Sequence, residues 1–427
     1  MIFFSTKDKK HQASFTQAMI NGLAPNEALY FPGDIPTFST DFFKNIKNMS
    51  LQEVAKFVIS PYIKDEFTEL QIDNIISEVF NFDIPLVNIE NNIFTLELFH
   101  GPTLAFKDIG ARFLAKSMQY VSNKTIRVLV ATSGDTGSAV ANGFLGIKNT
   151  EVIVLYPKGK VSELQQKQFT TLGKNIKPIA IDGTFDDCQR LVKSAFTDDS
   201  LKNKMNLTSA NSINVARWIP QSIYYYWAYA QVKSNDKDIV ITVPSGNLGN
   251  ITAGLLAKKT GLPIKKFIAS SNDNNIIPEF LKTGIYAPKP SVPTIANAMD
   301  VGDPNNFPRL IELYNNNFNN IKTDIIGYAY SDNEIRQNIQ DCYSSTGYLL
   351  DPHGATGYAA TKKFCNQNQI GIFLETAHPG KFQEEVEKTI NQEVKLPKRL
   401  EDFVKREAVF EELPSDYNTF KEYLLNI

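Results

Sequence analysis

RVLVATSGDTGSAVANGFLG (residues 127–146) and DIVITVPSGNLGNITAGLLAKKTGLPIKKFIASS (residues 238–271) decide the fold of this 427-residue chain. Each begins with a short Val/Ile run, passes through a turn of small and polar residues, and continues into a helical pattern. EVIVLYPKG (151–159) and NIKPIAID (175–182) add strands, and GIFLETAHPGKFQEEVEKTI (371–390) reads strand, loop, helix. Apolar runs without polar alternation, separated by helices, predict strands buried on both faces, and hence an α/β architecture with parallel sheets. Ligands of such sheets sit beyond the carboxyl ends of strands, where small-residue turns open into helices. The conspicuous turns of this chain fall at those places.

Outward from this core, the first ninety or so residues read as a separate, mostly helical unit. Residues 12–24 place Phe15, Met19 and Leu23 at helical spacing; 50–58 follow a Ser with an apolar stripe, and 66–80 form another amphipathic pattern. Turn chemistry at ALYFPGDIP (28–36) lies between the first two. Residues 284–309 are rich in Pro, Asn and Gly and too long for an ordinary connection, which predicts a functional loop or an ordered insert. The expected division is a helical domain over 1–95 and two α/β domains over 96–230 and 231–427.

Composition excludes several classes of function. Lys and Arg number 44 against 46 Asp and Glu, a net charge of −2, which gives no broad attraction for nucleic acid or an anionic membrane. Any anionic partner has to be held by a local site. Cys188, Cys342 and Cys365 form no CxxC pair, as expected for reduced thiols in a cytoplasmic protein without a zinc cage. His11, His100, His353 and His378 never fall at HxxxH spacing, so no metal site is expected. MIFFSTKDKKHQ has an apolar start of only four residues and does not read as a signal peptide, and no 18-residue apolar run is present.

Five segments carry residues suited to chemistry. In FHGPTLAFKD (99–108), Lys107 follows three apolar residues and precedes a helix. Apolar surroundings disfavour an ammonium and make a neutral, nucleophilic amine available, although a lysine at a helix start can also simply snorkel to solvent. ATSGDTG (131–137) and PSGNLGN (244–250) join strands to helices and can offer main-chain N–H groups to an anion; plain N-capping or a structural turn is the alternative. NSINVAR (211–217) supplies neutral donors plus the fixed fork of Arg217, a set suited to phosphate or carboxylate. The aromatic run SIYYYWAYA that follows suits a core or interface helix. In ETAHPG (375–380) a hydroxyl and an imidazole follow a strand.

In this order, HGPTLAFKD, SGDTG, PSGNLGN and ETAHPGKF resemble the threonine synthase family, pyridoxal-phosphate enzymes of fold type II (tryptophan synthase β-like). The opening FSTKDKKHQASFTQAMINGLAPNEALYFP, Asn297-Ala298-Met299-Asp300 and Pro304-Asn305-Asn306-Phe307 extend the similarity over nearly the whole chain, closest to the short microbial and fungal type. The resemblance implies two open, twisted α/β domains plus a helical N-terminal domain. It implies Lys107 as the Schiff-base lysine, and Gly246, Asn247, Leu248, Gly249 and Asn250 as the loop for the cofactor phosphate. Thr376 would face the pyridine nitrogen. Thr132, Ser133, Asp135 and Thr136 would grip the substrate carboxylate, and Asn211, Ser212, Asn214 and Arg217 would receive the substrate phosphate. The implied reaction turns O-phospho-L-homoserine and water into L-threonine and phosphate, with no metal, nucleic acid or membrane involved, in a monomer or homodimer.

Two departures stand out. Many relatives in the wider group have SGNTG where this chain has SGDTG, so Asp135 is expected to contribute mainly its main-chain N–H, and to tolerate Asn if only the backbone matters. Asn26-Glu27-Ala28 stands where relatives often carry a Gly-rich turn. The competing readings are a sister lyase, such as a serine/threonine dehydratase, and a catalytically silent cofactor-binding homologue.

Overall fold

The structure, a computed structural model, describes residues 1–121, 124–232 and 237–427. In chain order its strands are β1 (Ile2–Ser5), β2 (Asp8–Ser14), β3 (Tyr30–Pro32), β4 (Leu86–Glu90), β5 (Ile93–Glu97), β6 (Ile126–Ala131), β7 (Thr150–Pro157), β8 (Ile176–Asp182), β9 (Asn206–Ser209), β10 (Asp238–Pro244), β11 (Lys266–Ser271), β12 (Ile325–Ala329), β13 (Gln369–Glu375) and β14 (Glu411–Pro414). They form a five-stranded parallel sheet, β14-β8-β7-β6-β9, and a six-stranded sheet, β12-β11-β10-β13-β5-β4, in which only the β4–β5 pair is antiparallel. The Val/Ile runs lie inside: Val128, Leu129 and Val130 of β6, and Val240, Ile241 and Val243 of β10, are buried on both faces. That burial is what continuous apolar runs in a helix-covered parallel sheet require.

The amino-terminal unit is more than helical. β1, β2 and β3 form a small antiparallel sheet, and its edge strand β2, with exposed Asp8, Lys9 and Lys10, reads in sequence as a charged tail. Asn26 and Glu27 take left-handed backbone conformations (φ 59° and 56°), so the missing glycines are replaced by residues held at positive φ. The helices Leu51–Ile63 and Glu69–Val79 start with capping boxes, Ser50 with Glu53 and Thr68 with Gln71. Phe15 packs edge-on against Phe67 and Phe113, which locks the unit onto the helix Lys107–Met118.

The chain does not divide into consecutive α/β blocks as the sequence suggests. β4 and β5 fold as a hairpin through Asn91 (φ 44°) and join β13, so residues 86–97 belong to the six-stranded sheet. At the other end β14 returns to the edge of the five-stranded sheet beside β8, and the helix Tyr417–Asn426 covers that sheet with Phe420 and Leu424. β14 escapes a hydrophobicity reading because an edge strand such as EELP keeps exposed charges. Residues 284–309 are an ordered insert: Asp300 accepts hydrogen bonds from Asn272, Asn274 and Thr294, and Tyr286 stacks on Phe307 at 3.6 Å.

Candidate active site

A cavity of about 570 Å³ opens where β6 and β10 end, bounded by the helix starts that follow them and by the insert. Every residue that the family resemblance assigns to the site lines it except Asp135 and Asn214. Lys107 is the first residue of its helix and partly exposed to the cavity. Three residues upstream, Leu104 is held in a left-handed conformation (φ 55°), and the N–H of His378 donates to its carbonyl at 3.1 Å. Such backbone costs about 1–3 kcal/mol and persists only where packing overdetermines it. Here Leu104 is 5% exposed.

The Ser245–Asn250 loop is shaped the same way. Leu248 sits at φ 60° and ends the turn, and the helix Gly249–Lys259 begins at the cavity wall. A Cβ on Gly246 would come within 2.8 Å of the Met299 backbone, so only glycine lets the insert close over this loop. From below, the Tyr225 hydroxyl reaches both the main-chain and side-chain oxygens of Asn250 at 2.8 Å, and Tyr224 donates to the Phe106 carbonyl beside Lys107. The YYYW run is therefore core, and two of its hydroxyls are spent on the loops above it. Its sequence signal was apolar packing only; nothing in it marked the hydroxyls.

In the third loop, the Thr132 hydroxyl accepts the N–H groups of Gly134 and Gly137 at 2.9 and 2.8 Å. Gly134 needs its φ of 144°, and a Cβ there would strike the Gln165 side chain at 2.7 Å. This folds the chain so that the helix Asp135–Phe144 starts at the cavity with its first-turn N–H groups unused by the helix itself. The Asp135 side chain is not idle, contrary to the sequence expectation. Its carboxylate is buried against the ammonium of Lys381, 2.6 Å away, so substitution by Asn would strand a buried cation.

Asn214 is a capping residue rather than a cavity wall. Its amide donates to the carbonyls of Met19 and Ser209 and its oxygen accepts the Ala216 N–H, which consumes the side chain. Arg217 is 2% exposed and does face the cavity; one terminal nitrogen donates to the Ala210 carbonyl, while its buried Nε has no protein partner among the described residues. His378 accepts the Gly380 N–H and is pushed down to about 4 by burial, so it caps a turn in neutral form. Arg309, missed in the sequence, is fully buried over Trp218; it donates to the carbonyls of Tyr30, Ser212 and Ile213 and to Asn306, binding the amino-terminal unit to two cavity loops.

Comparison with known proteins accounts for the whole length. Residues 83–372 match the family model described as "Pyridoxal-phosphate dependent enzyme", residues 2–80 that described as "Threonine synthase N terminus", and residues 354–424 that described as "Threonine synthase, C-terminal". The chain is 42% identical to a protein named threonine synthase from Escherichia coli, with all of both chains aligned. The chain belongs to the threonine synthase family. It is also 34% identical to the Saccharomyces cerevisiae threonine synthase, over 91% of this chain and 89% of that protein. The crystal structure of the Escherichia coli threonine synthase superposes with a TM-score of 0.94 over all of both chains. A PLP-bound threonine synthase from Brucella melitensis gives 0.94 at 34% identity, covering all of this chain and 99% of that one. Maize serine racemase, 16% identical with a TM-score of 0.54, shares the fold alone.

Threonine synthase family membership makes the chain a pyridoxal-phosphate-dependent lyase of fold type II. Its cavity fits that cofactor. The Asn250 amide nitrogen is buried without a partner among the described residues, directly after the loop that opens a helix, which is the donor set a phosphate monoester needs. Lys107 offers the amine: burial pulls it down from the ordinary 10.5 to about 8, with Arg217 and Lys381 pushing the same way against Asp135. At pH 7 such a group holds roughly 300-fold more neutral amine than an ordinary lysine. The rate at which the cofactor-free protein captures pyridoxal phosphate is therefore expected to climb with pH, pass its midpoint near pH 8 and level off about one unit higher. A rate still climbing beyond pH 10 contradicts the buried setting of Lys107.

Proposed function

We propose that this chain converts O-phospho-L-homoserine and water into L-threonine and phosphate. The observation that supports the proposal is that one cavity is lined by two separate sets of groups suited to anions together with the amine of Lys107. One is the first turn of the helix Asp135–Phe144 with Ser133 and Thr136; the other is Arg217 with Ser212 and Asn211. An amino acid bearing a phosphate at its far end presents two anions of this kind.

Lys107 would hold the cofactor covalently, Gly246 to Asn250 would take its phosphate, and Thr376, at the end of β13, would face its ring nitrogen. Pyridoxal phosphate, when bound, supplies the electron sink that stabilises negative charge on the substrate carbons. The rest is done by this chain. Helix N–H groups orient the carboxylate at no reorganisation cost, because the turn is fixed by Thr132. The Lys107 amine, freed when substrate replaces it, moves protons between neighbouring carbons, a task suited to an amine held near neutrality. Arg217 stabilises the departing phosphate with the Nε that has no protein partner among the described residues. The insert over Gly246 limits water to what hydration of the substrate requires.

The test is to supply the holoenzyme with O-phospho-L-homoserine and measure both products. Equimolar inorganic phosphate and L-threonine are expected. Production of 2-oxo acids from free L-serine or L-threonine, without phosphate release from O-phospho-L-homoserine, contradicts the assignment.

A further inference from the structure

A loop that binds a carboxylate should not itself carry one. Asp135 breaks that rule at the first turn of the helix Asp135–Phe144, where its buried carboxylate would repel an incoming anion. Lys381, in the turn Pro379–Phe382 that follows β13, removes the conflict. Its side chain has no exposed surface, its Nζ lies 2.6 Å from Asp135 Oδ1, and that of Asp135 is 5% exposed. The same ammonium donates to the Thr103 carbonyl at 2.9 Å, in the turn that leads to Lys107. Gln165 donates to the same Asp135 oxygen at 3.1 Å, and Gln168 to the same Thr103 carbonyl at 3.1 Å. Three loops of the cavity, from separate parts of the chain, thus meet on one buried cation.

We propose that Lys381 is a positioning residue that neutralises Asp135 and fastens the three loops, so that the helix start presents N–H groups rather than a net negative charge to the substrate carboxylate. The proposal rests on reading residues 131–137 as the carboxylate loop. Burial by itself would raise the Asp135 carboxyl, yet Lys381 and Lys107 together hold it well below the usual carboxylate range, so the pair is ionic.

The sign of the charge separates this role from a merely structural tie. Lys381→Met leaves a lone anion beside the bound carboxylate, Asp135→Asn leaves a lone cation, and Asp135→Asn/Lys381→Met leaves neither. Each holoenzyme is titrated with L-2-amino-5-phosphonopentanoate, an uncleavable phosphonate counterpart of the substrate, following the cofactor absorption. Lys381→Met is expected to weaken binding at least tenfold, Asp135→Asn, which leaves the cation alone beside the carboxylate, to tighten it at least threefold, and the double variant to return close to wild type. Equal weakening in the two single variants, or no recovery in the double, overturns the proposal. Should Lys381→Met fail to fold, Asp135→Asn has to bind at least threefold tighter than the double variant, and equal affinities overturn it. A wild type that releases no phosphate from O-phospho-L-homoserine contradicts the functional reading alone, because titration with L-homoserine, which keeps the carboxylate and lacks the phosphate, still reads the pair.

Discussion

Lys107→Ala is expected to lower turnover of O-phospho-L-homoserine by at least about four orders of magnitude, the upper range for loss of a positioned proton-transfer group. The visible absorption that the bound cofactor owes to its link with lysine should vanish as well. Among the described residues no other lysine offers the same setting: Lys160 also lines the cavity but is exposed. Lys381 also reaches the heart of the site, but its ammonium is committed to Asp135 and the Thr103 carbonyl. Lys107 instead faces the cavity from a helix start whose preceding carbonyl is pinned by Tyr224. Because the side chain stands at a cavity wall, truncation leaves no packing defect, and the thermal midpoint of the cofactor-free protein should stay within a few degrees. A variant that keeps both its absorption band and its turnover would show that another amine does the work.

Arg217→Ala is expected to reduce kcat/KM by about 10²- to 10³-fold, the effect of removing one charged donor from a developing anion, roughly 3–4 kcal/mol. Cofactor affinity should change less than threefold, since Asn250 and the Ser245–Asn250 loop lie on β10's side of the cavity. A second signature follows from the field at Lys107. Arg217 helps to push that amine down, so its removal should move the pH midpoint of cofactor capture upward. Equal losses of substrate turnover and cofactor binding, with the midpoint unmoved, contradict the assigned role.

The parallel-sheet core was legible because its strands are continuous apolar runs and its turns are rich in small residues, two signals that survive without tertiary context. Of the side chains selected through the family resemblance, all but Asp135 and Asn214 line one cavity. What escaped was set by long-range pairing. Edge strands β2 and β14 keep exposed charges and look like solvent-facing tails, and the β4–β5 hairpin joins a sheet assembled mostly from residues some 150 or more positions later. The same limit hid Lys381. In sequence it follows a Pro-Gly turn and resembles any surface lysine; only folding carries it 246 positions back to Asp135. Asp135 was accordingly expected to tolerate Asn, whereas its burial with Lys381 makes it half of an ion pair. Asn214 erred in the other direction: its type suits phosphate, but its neighbours needed a cap.

The central claim is that the amine of residue 107 carries the cofactor. It is tested most directly by reducing the holoenzyme with borohydride, digesting it, and locating the pyridoxyl group by mass spectrometry. One adduct on the peptide that contains Lys107 is the predicted result; an adduct on a different lysine, or none at all, contradicts it.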